Sequence, residues 1–312
     1  MRRAARCGRT TRGARRPVLR QTVRFDAVEL AEVLRGDLAA TVEAFLAADA
    51  RIGRSAAPDD VHDARVALRR ARSNLRTFRT LFDPSFLRKV RPEIAWAGEQ
   101  FGPVRDLDVI ASRLLVRFED LDAHEIALLT TLLARERADG LRRLADARSS
   151  PRYGAALDAL REVASSPAMR GRASREAAAC LPALLERPRQ ELRAAGRAAR
   201  ARADADALHV LRIRTKQLRY AAELSAPVLG DPATNLASRC ASLQRHLGRQ
   251  RDATACAEWV TQHVAQLEGE RDTCARLARE EHLAGVELAG GWGRRLRRVD
   301  RSWDRLRRTR RR

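Results

Sequence analysis

VHDARVALRRARSNL, residues 61–75, and LHVLRIRTKQLRYAA, residues 208–222, are two versions of one amphipathic helix. His62 pairs with His209, Arg65 with Arg212, Arg69 with Lys216 and Arg72 with Arg219, all 147 positions apart. Downstream, FGPVRDLD (101–108) matches LGRQRDAT (247–254). Gly102, Arg105 and Asp106 there pair with Gly248, Arg251 and Asp252, 146 positions apart. Two separate motifs, repeated in one order at nearly one register, indicate a duplicated unit.

Working outward from these motifs, the apolar residues recur at helical spacing and are mostly Ala, Leu and Val. Only 4% of residues are aromatic. The chain is therefore expected to be all-α, with two helical bundles related by approximate internal twofold symmetry. Each half reads as four helices. In the first they run over about residues 25–48, 59–82, 86–101 and 104–118; in the second over about 173–200, 204–229, 232–247 and 250–267. The first half spans about 25–120, connecting helices occupy 123–148 and 152–164 within 123–165, and the second half spans about 173–268. One more packing helix is expected near 271–288, within 269–293. Gly102 and Gly248 read as helix C-caps, with Asp106 and Asp252 in the first turn of the following helix, where a carboxylate is favourable.

The repeated helix carries the functional signal. With His62 at 0° and about 100° per residue, Arg65, Arg69, Arg72 and Arg76 fall at about 280–340°. Ala64, Leu68, Ala71, Leu75, Phe78 and Phe82 form the core face, and Val66 lies on the far flank of the stripe. In the second copy His209, Arg212, Lys216 and Arg219 form the stripe, Ile213 takes the place of Val66, Glu223 replaces Arg76, and Tyr220 stands at the edge. Like charges at i, i+3 and i+7 repel and weaken an isolated helix, so a narrow row is best tolerated where an anion neutralises it. The row covers about 20 Å of helix, a length suited to an extended chain of phosphates. A solvated face is the ordinary reading of one such stripe; its duplication favours a site.

Net charge is +22, but residues 1–24 carry +9 with nine Arg and no acid, and residues 294–312 carry +9 with eleven Arg and two Asp. That leaves +4 for residues 25–293. Both ends read as basic tails with little capacity to pack. Of 62 basic residues only Lys89 and Lys216 are Lys, which a genomic bias toward Arg codons explains. Five scattered Cys with no CxxC suggest reduced thiols and a cytoplasmic protein. No apolar run reaches membrane-spanning length. The basic start lacks the apolar core of a secretory signal, and it is compatible with a transit-peptide-like segment or an extension from an upstream start codon.

Two other function classes compete. His62-Asp63 imitates the HD pair of a metal phosphohydrolase, yet Val210 follows His209, and His124, His246, His263 and His282 show no ligand spacing. A phosphate-accepting histidine would not need two stripes; His62 and His209 read better as pH-tunable ligands. No catalytic residue, metal or cofactor is expected. The Arg-rich tails would give salt-sensitive, sequence-independent nucleic-acid binding, but the stripes lack the aromatics for base stacking.

The motifs VHDARVALRRAR (61–72), FGPVRDLDV (101–109), LHVLRIRTKQLRY (208–220) and LGRQRDA (247–253) resemble the conserved histidine α-helical domain, or CHAD, family over roughly residues 25–268. The resemblance implies two bundles enclosing a basic channel that binds inorganic polyphosphate, and association with polyphosphate granules in bacteria. Carried over residue by residue, it implies a binding set of His62, Arg65, Arg69, Arg72, His209, Arg212, Arg214, Lys216, Arg219 and Tyr220. Arg214 rests on the family pattern alone, being about 140° from His209 and off the stripe. Arg76, Arg105 and Arg251 extend the set by position, with Asp106 and Asp252 orienting the arginines. No acidic ExExK pattern of the triphosphate-processing domains attached to many members occurs here.

Overall fold

Helix boundaries follow the capping chemistry of the chain. The structure is a computed structural model describing residues 28–52, 56–117, 119, 121–202, 204–263 and 271–309. The tail expected at residues 1–24 lies outside the described residues. Within them run α1 (Leu30–Arg51), α2 (Pro58–Thr77), α3 (Pro84–Gln100), α4 (Gly102–Leu115), α5 (Ala123–Arg148) and α6 (Pro151–Ser165). These are followed by α7 (Ala177–Arg202), α8 (Ala205–Leu229), α9 (Asp231–His263), α10 (Arg271–Leu288) and α11 (Trp292–Thr309). Asp122 caps α5 in a reciprocal capping box with Glu125, and Asp204 caps α8 through Ala207 N at 2.7 Å. Gly230, at φ 64°, ends α8 in a conformation that side chains disfavour. The chain is all-α: the described residues hold no strand, only isolated bridges between Glu29 and Glu176 and between Phe82 and Met169.

The two motif helices, α2 and α8, pack against each other at the centre. α1 covers α2, α7 and α9 flank α8, and α4 meets α9. The main core joins Leu34, Leu38, Phe45, Leu68, Leu75, Phe101, Leu211 and Leu218. A second apolar cluster ties α4, α5, α9 and α10 through Ile110, Leu114, Leu129, Leu132, Trp259 and Leu277. The buried Glu281 of α10 reinforces it by accepting from Arg113 of α4 and from Arg117 in the turn that follows α4. No helix among the described residues is long and apolar enough to cross a membrane.

Three expectations need correction. The third and fourth helices of the second half are one 33-residue helix, α9, with Gly248 inside it rather than at a C-cap. The break between α3 and α4 falls at Phe101, so Gly102 opens α4 with no left-handed φ rather than capping α3, and Asp106 lies past the first turn. Pro103 suits that helix start, whereas no proline follows Gly248, and an interior glycine weakens a helix by only about 1 kcal/mol. The segment 294–312 is not a tail with little capacity to pack: α11 accounts for all of it up to Thr309. Trp292, Leu296, Val299, Trp303 and Leu306 of α11 are all buried, an apolar face at helical spacing concealed by the arginine count. Arg189 of α7 and Asp300 of α11 form an ion pair at 2.6 Å that pins the helix further. Finally, α2 ends at Thr77, and a 3₁₀ turn, Arg79–Leu81, carries the buried Phe78 and Phe82.

Candidate basic cleft

The site is assembled from five helices that converge on one cleft of about 800 Å³. α2 contributes His62, Arg65 and Arg69; α8 contributes His209, Arg212 and Lys216. Arg105, Asp106 and Val109 enter from α4, and α11 adds Arg295. From α9 come Arg245, His246, Arg249, Arg251 and Asp252, together with Ser242, Gln244, Gly248 and Ala255. Nine guanidinium or ammonium groups thus face two carboxylates. A pocket of about 250 Å³, sharing His209, Arg212 and Arg251, continues the cleft along α8 and α9.

A stripe arginine crosses each of the repeated glycines. Arg65 Nη1 donates to the Gly102 carbonyl at 2.8 Å and to Asp106 Oδ1 at 2.9 Å. In the other half Arg212 Nε passes 4.0 Å from the position a Cβ on Gly248 would occupy. At both positions a Cβ would meet the arginine only at ordinary van der Waals distance. Arg69 Nε donates to the Tyr220 hydroxyl at 3.2 Å, which links α2 to α8 at the floor of the site.

The electrostatics record how crowded the cations are. Burial, then the charges of Arg212, Arg69 and Arg65, push the Lys216 ammonium down to about 6. Burial and the nearby Arg105 and Arg69 lower His62; burial and Arg212, Arg251 and Lys216 lower His209. Arg212 is itself shifted down by burial, with help from Arg69, Arg65 and Arg251, and its Nε is buried without a hydrogen-bond partner. Asp252 is raised by burial in spite of the surrounding arginines.

Not every sequence-derived residue reaches the cleft. Arg214 is turned away, bonded to Glu191 and Gln217, as its wheel position requires. Arg76 lines a separate small pocket with Arg187 and Glu191. Arg72 is exposed over Gly98 of α3, outside the cleft lining. Arg219 is held by Glu223 at 2.6 Å and by Gln244, behind the lining. Tyr220 is buried rather than at an open edge, so its hydroxyl serves Arg69. Ile213 is 38% exposed, so the second stripe is not bracketed by a buried flank there. Conversely, Arg245, Arg249 and Arg295 were missed. Arg245 and Arg249 sit at i and i+4 on α9 and are separated only by a reading that breaks the helix at Gly248.

Charge binding is the chemistry this arrangement offers. Guanidinium forks and an ammonium can grip phosphate oxygens. Among the described residues no group of three His, Cys, Asp or Glu side chains could hold a metal ion. Asp63 pairs with Arg51 of α1 at 3.7 Å.

The CHAD domain family model matches residues 36–261, and the chain belongs to that family. Uncharacterized proteins from two strains of Mycobacterium tuberculosis are each 29% identical over 225 residues, covering 69% of this chain and 42% of theirs. The chain thus spans less than half the length of these relatives. The crystal structure of the CHAD domain from the plant Ricinus communis superimposes with a TM-score of 0.71 at 23% identity, over 88% of this chain and 93% of that one. PptA from Streptomyces chartreusis matches with a TM-score of 0.67 at 22% identity, over 89% and 100%. These two likenesses establish the fold.

Proposed function

We propose that this protein binds long-chain inorganic polyphosphate non-catalytically in the cleft between α2, α4, α8 and α9. The observation that supports this reading is the convergence of eight arginines and Lys216 on two carboxylates in one partly buried cleft. Such a cluster is self-repulsive: Arg212, Arg69 and Arg65 add to the burial that pushes Lys216 down to about 6. An extended polyanion relieves the repulsion at every position at once, whereas a small anion relieves it at one or two. Arg65, Arg69, Arg105, Arg212 and Arg251 supply forked donors, Lys216 a point charge, and His62 and His209 donors that gain charge as the pH falls. Asp106 orients Arg65 through its 2.9 Å contact. Binding of this ligand would place the protein on polyphosphate-rich bodies such as granules.

Titration of the full chain with long polyphosphate and with single-stranded and duplex DNA at physiological salt tests the assignment. Arg69→Glu combined with Lys216→Glu is expected to abolish polyphosphate binding with helicity by circular dichroism unchanged, because reversed charges at the centre of both stripes turn attraction into repulsion. Retained binding in that variant would remove the cleft from the mechanism. Stronger binding of DNA than of polyphosphate by the wild-type chain would favour nucleic acid as the partner.

A further inference from the structure

The last helix carries a third arginine row that the cleft does not use. α11 lies beyond the family match, which ends at residue 261. Its buried face of Trp292, Leu296, Val299, Trp303 and Leu306 fixes how the helix is turned. On the exposed side, Arg294, Arg298, Arg301 and Arg305 fall at i, i+4, i+7 and i+11. At about 100° per residue they occupy a strip about 60° wide and roughly 16 Å long. Among the described residues, none of Arg294, Arg298 and Arg301 takes part in an ion pair; of the two acids of α11, Asp300 is engaged by Arg189, and Asp304 stands beside the row, next to Arg305.

The row is joined to the cleft at one point. Arg295, next to Arg294, lines the cleft and donates to the Gly291 carbonyl at 3.3 Å. The turn that delivers it is built for the purpose: Gly291 adopts φ 74°, and His246 Nε2 of α9, also in the cleft lining, contacts the Gly290 carbonyl at 2.5 Å. Like-charged spacing of this kind is the same signature that α2 and α8 show, and it weakens a helix unless an anion lies along it.

We infer that the exposed face of α11 is a second polyphosphate-binding surface, continuous with the cleft through Arg295, which takes the portion of a long chain that leaves the cleft. The inference rests on the cleft being a polyphosphate site. It makes α11 a determinant of chain-length preference: short chains feel the cleft alone, and long chains gain the linked second surface without new cleft contacts.

The test compares the full chain with a variant carrying Arg294→Gln, Arg298→Gln, Arg301→Gln and Arg305→Gln, using tripolyphosphate, long polyphosphate and duplex DNA as probes. Long-chain affinity is expected to fall about tenfold or more, and its log–log salt slope to become shallower by about three to four, as the released contacts dictate. Tripolyphosphate affinity should stay at the wild-type level, which also reports an intact cleft. Unchanged long-chain affinity would overturn the inference, as would an equal loss for both phosphate probes or a loss confined to DNA. Failure of the wild-type chain to bind either phosphate probe would instead overturn the cleft reading, and this inference with it.

Discussion

Polyphosphate binding should be coupled to proton uptake through Lys216. Burial and three arginines, Arg212, Arg69 and Arg65, push its ammonium down to about 6 in the free protein, so at neutral pH it is mostly uncharged. A polyanion seated among the same guanidiniums cancels that repulsion and favours the charged form. The bound state then holds more protons than the free state, so affinity rises as pH falls. Full return to the ordinary value of 10.5 sets the ceiling, an affinity about fiftyfold higher at pH 6 than at pH 8 and an uptake of about 0.9 proton at pH 7; the burial that is the larger cause of the shift persists in the complex and keeps the effect below that ceiling. His62 and His209, both depressed by burial and neighbouring cations, add to the effect in the same direction. Isothermal titration at pH 7 in two buffers of different ionisation enthalpy reads the proton number directly. Long polyphosphate is the right probe because its two end groups are then a negligible share of the titration. Lys216→Gln should remove most of the uptake, and Lys216→Arg should bind with a much flatter pH profile. Equal proton uptake by the wild type and by Lys216→Gln would refute the reasoning.

Other outcomes follow from particular contacts. Arg214→Ala and Arg76→Ala, which alter side chains outside the cleft, should leave polyphosphate affinity within about twofold in the same titration, consistent with the small worth of partly exposed ion pairs. Gly248→Ala should be tolerated and favour the helix by up to about 1 kcal/mol in a urea melt, since its new Cβ would lie 4.0 Å from Arg212 Nε. Gly248→Leu should instead displace Arg212 and weaken binding while helicity persists. Trp303→Ala should destabilise the fold by about 3–5 kcal/mol in chemical denaturation, because a buried indole leaves a cavity under α11; a loss below about 1 kcal/mol would mean that α11 is not part of the core.

The all-α class and the residues of both motif helices that line the cleft were legible in the sequence. Helical periodicity and duplication are local signals, and each survives in the order of residues alone. Arg65, Arg69, Arg212 and Lys216 could be singled out because a repeat shows which charges keep their place. Two things were beyond that reach. One was the path of individual side chains: Arg219 falls in the same stripe as Lys216, yet Glu223 one turn further on claims it. The other was the membership of distant segments. The residues of α11 read as a charged tail by count, and only packing of Trp292, Leu296 and Trp303 against the core turns it into a helix that brings Arg295 to the cleft. Local sequence specifies which faces of a helix are apolar and which are charged. The choice of neighbour for each face is made by long-range packing, and that choice alone decided which of the many arginines converge on one site.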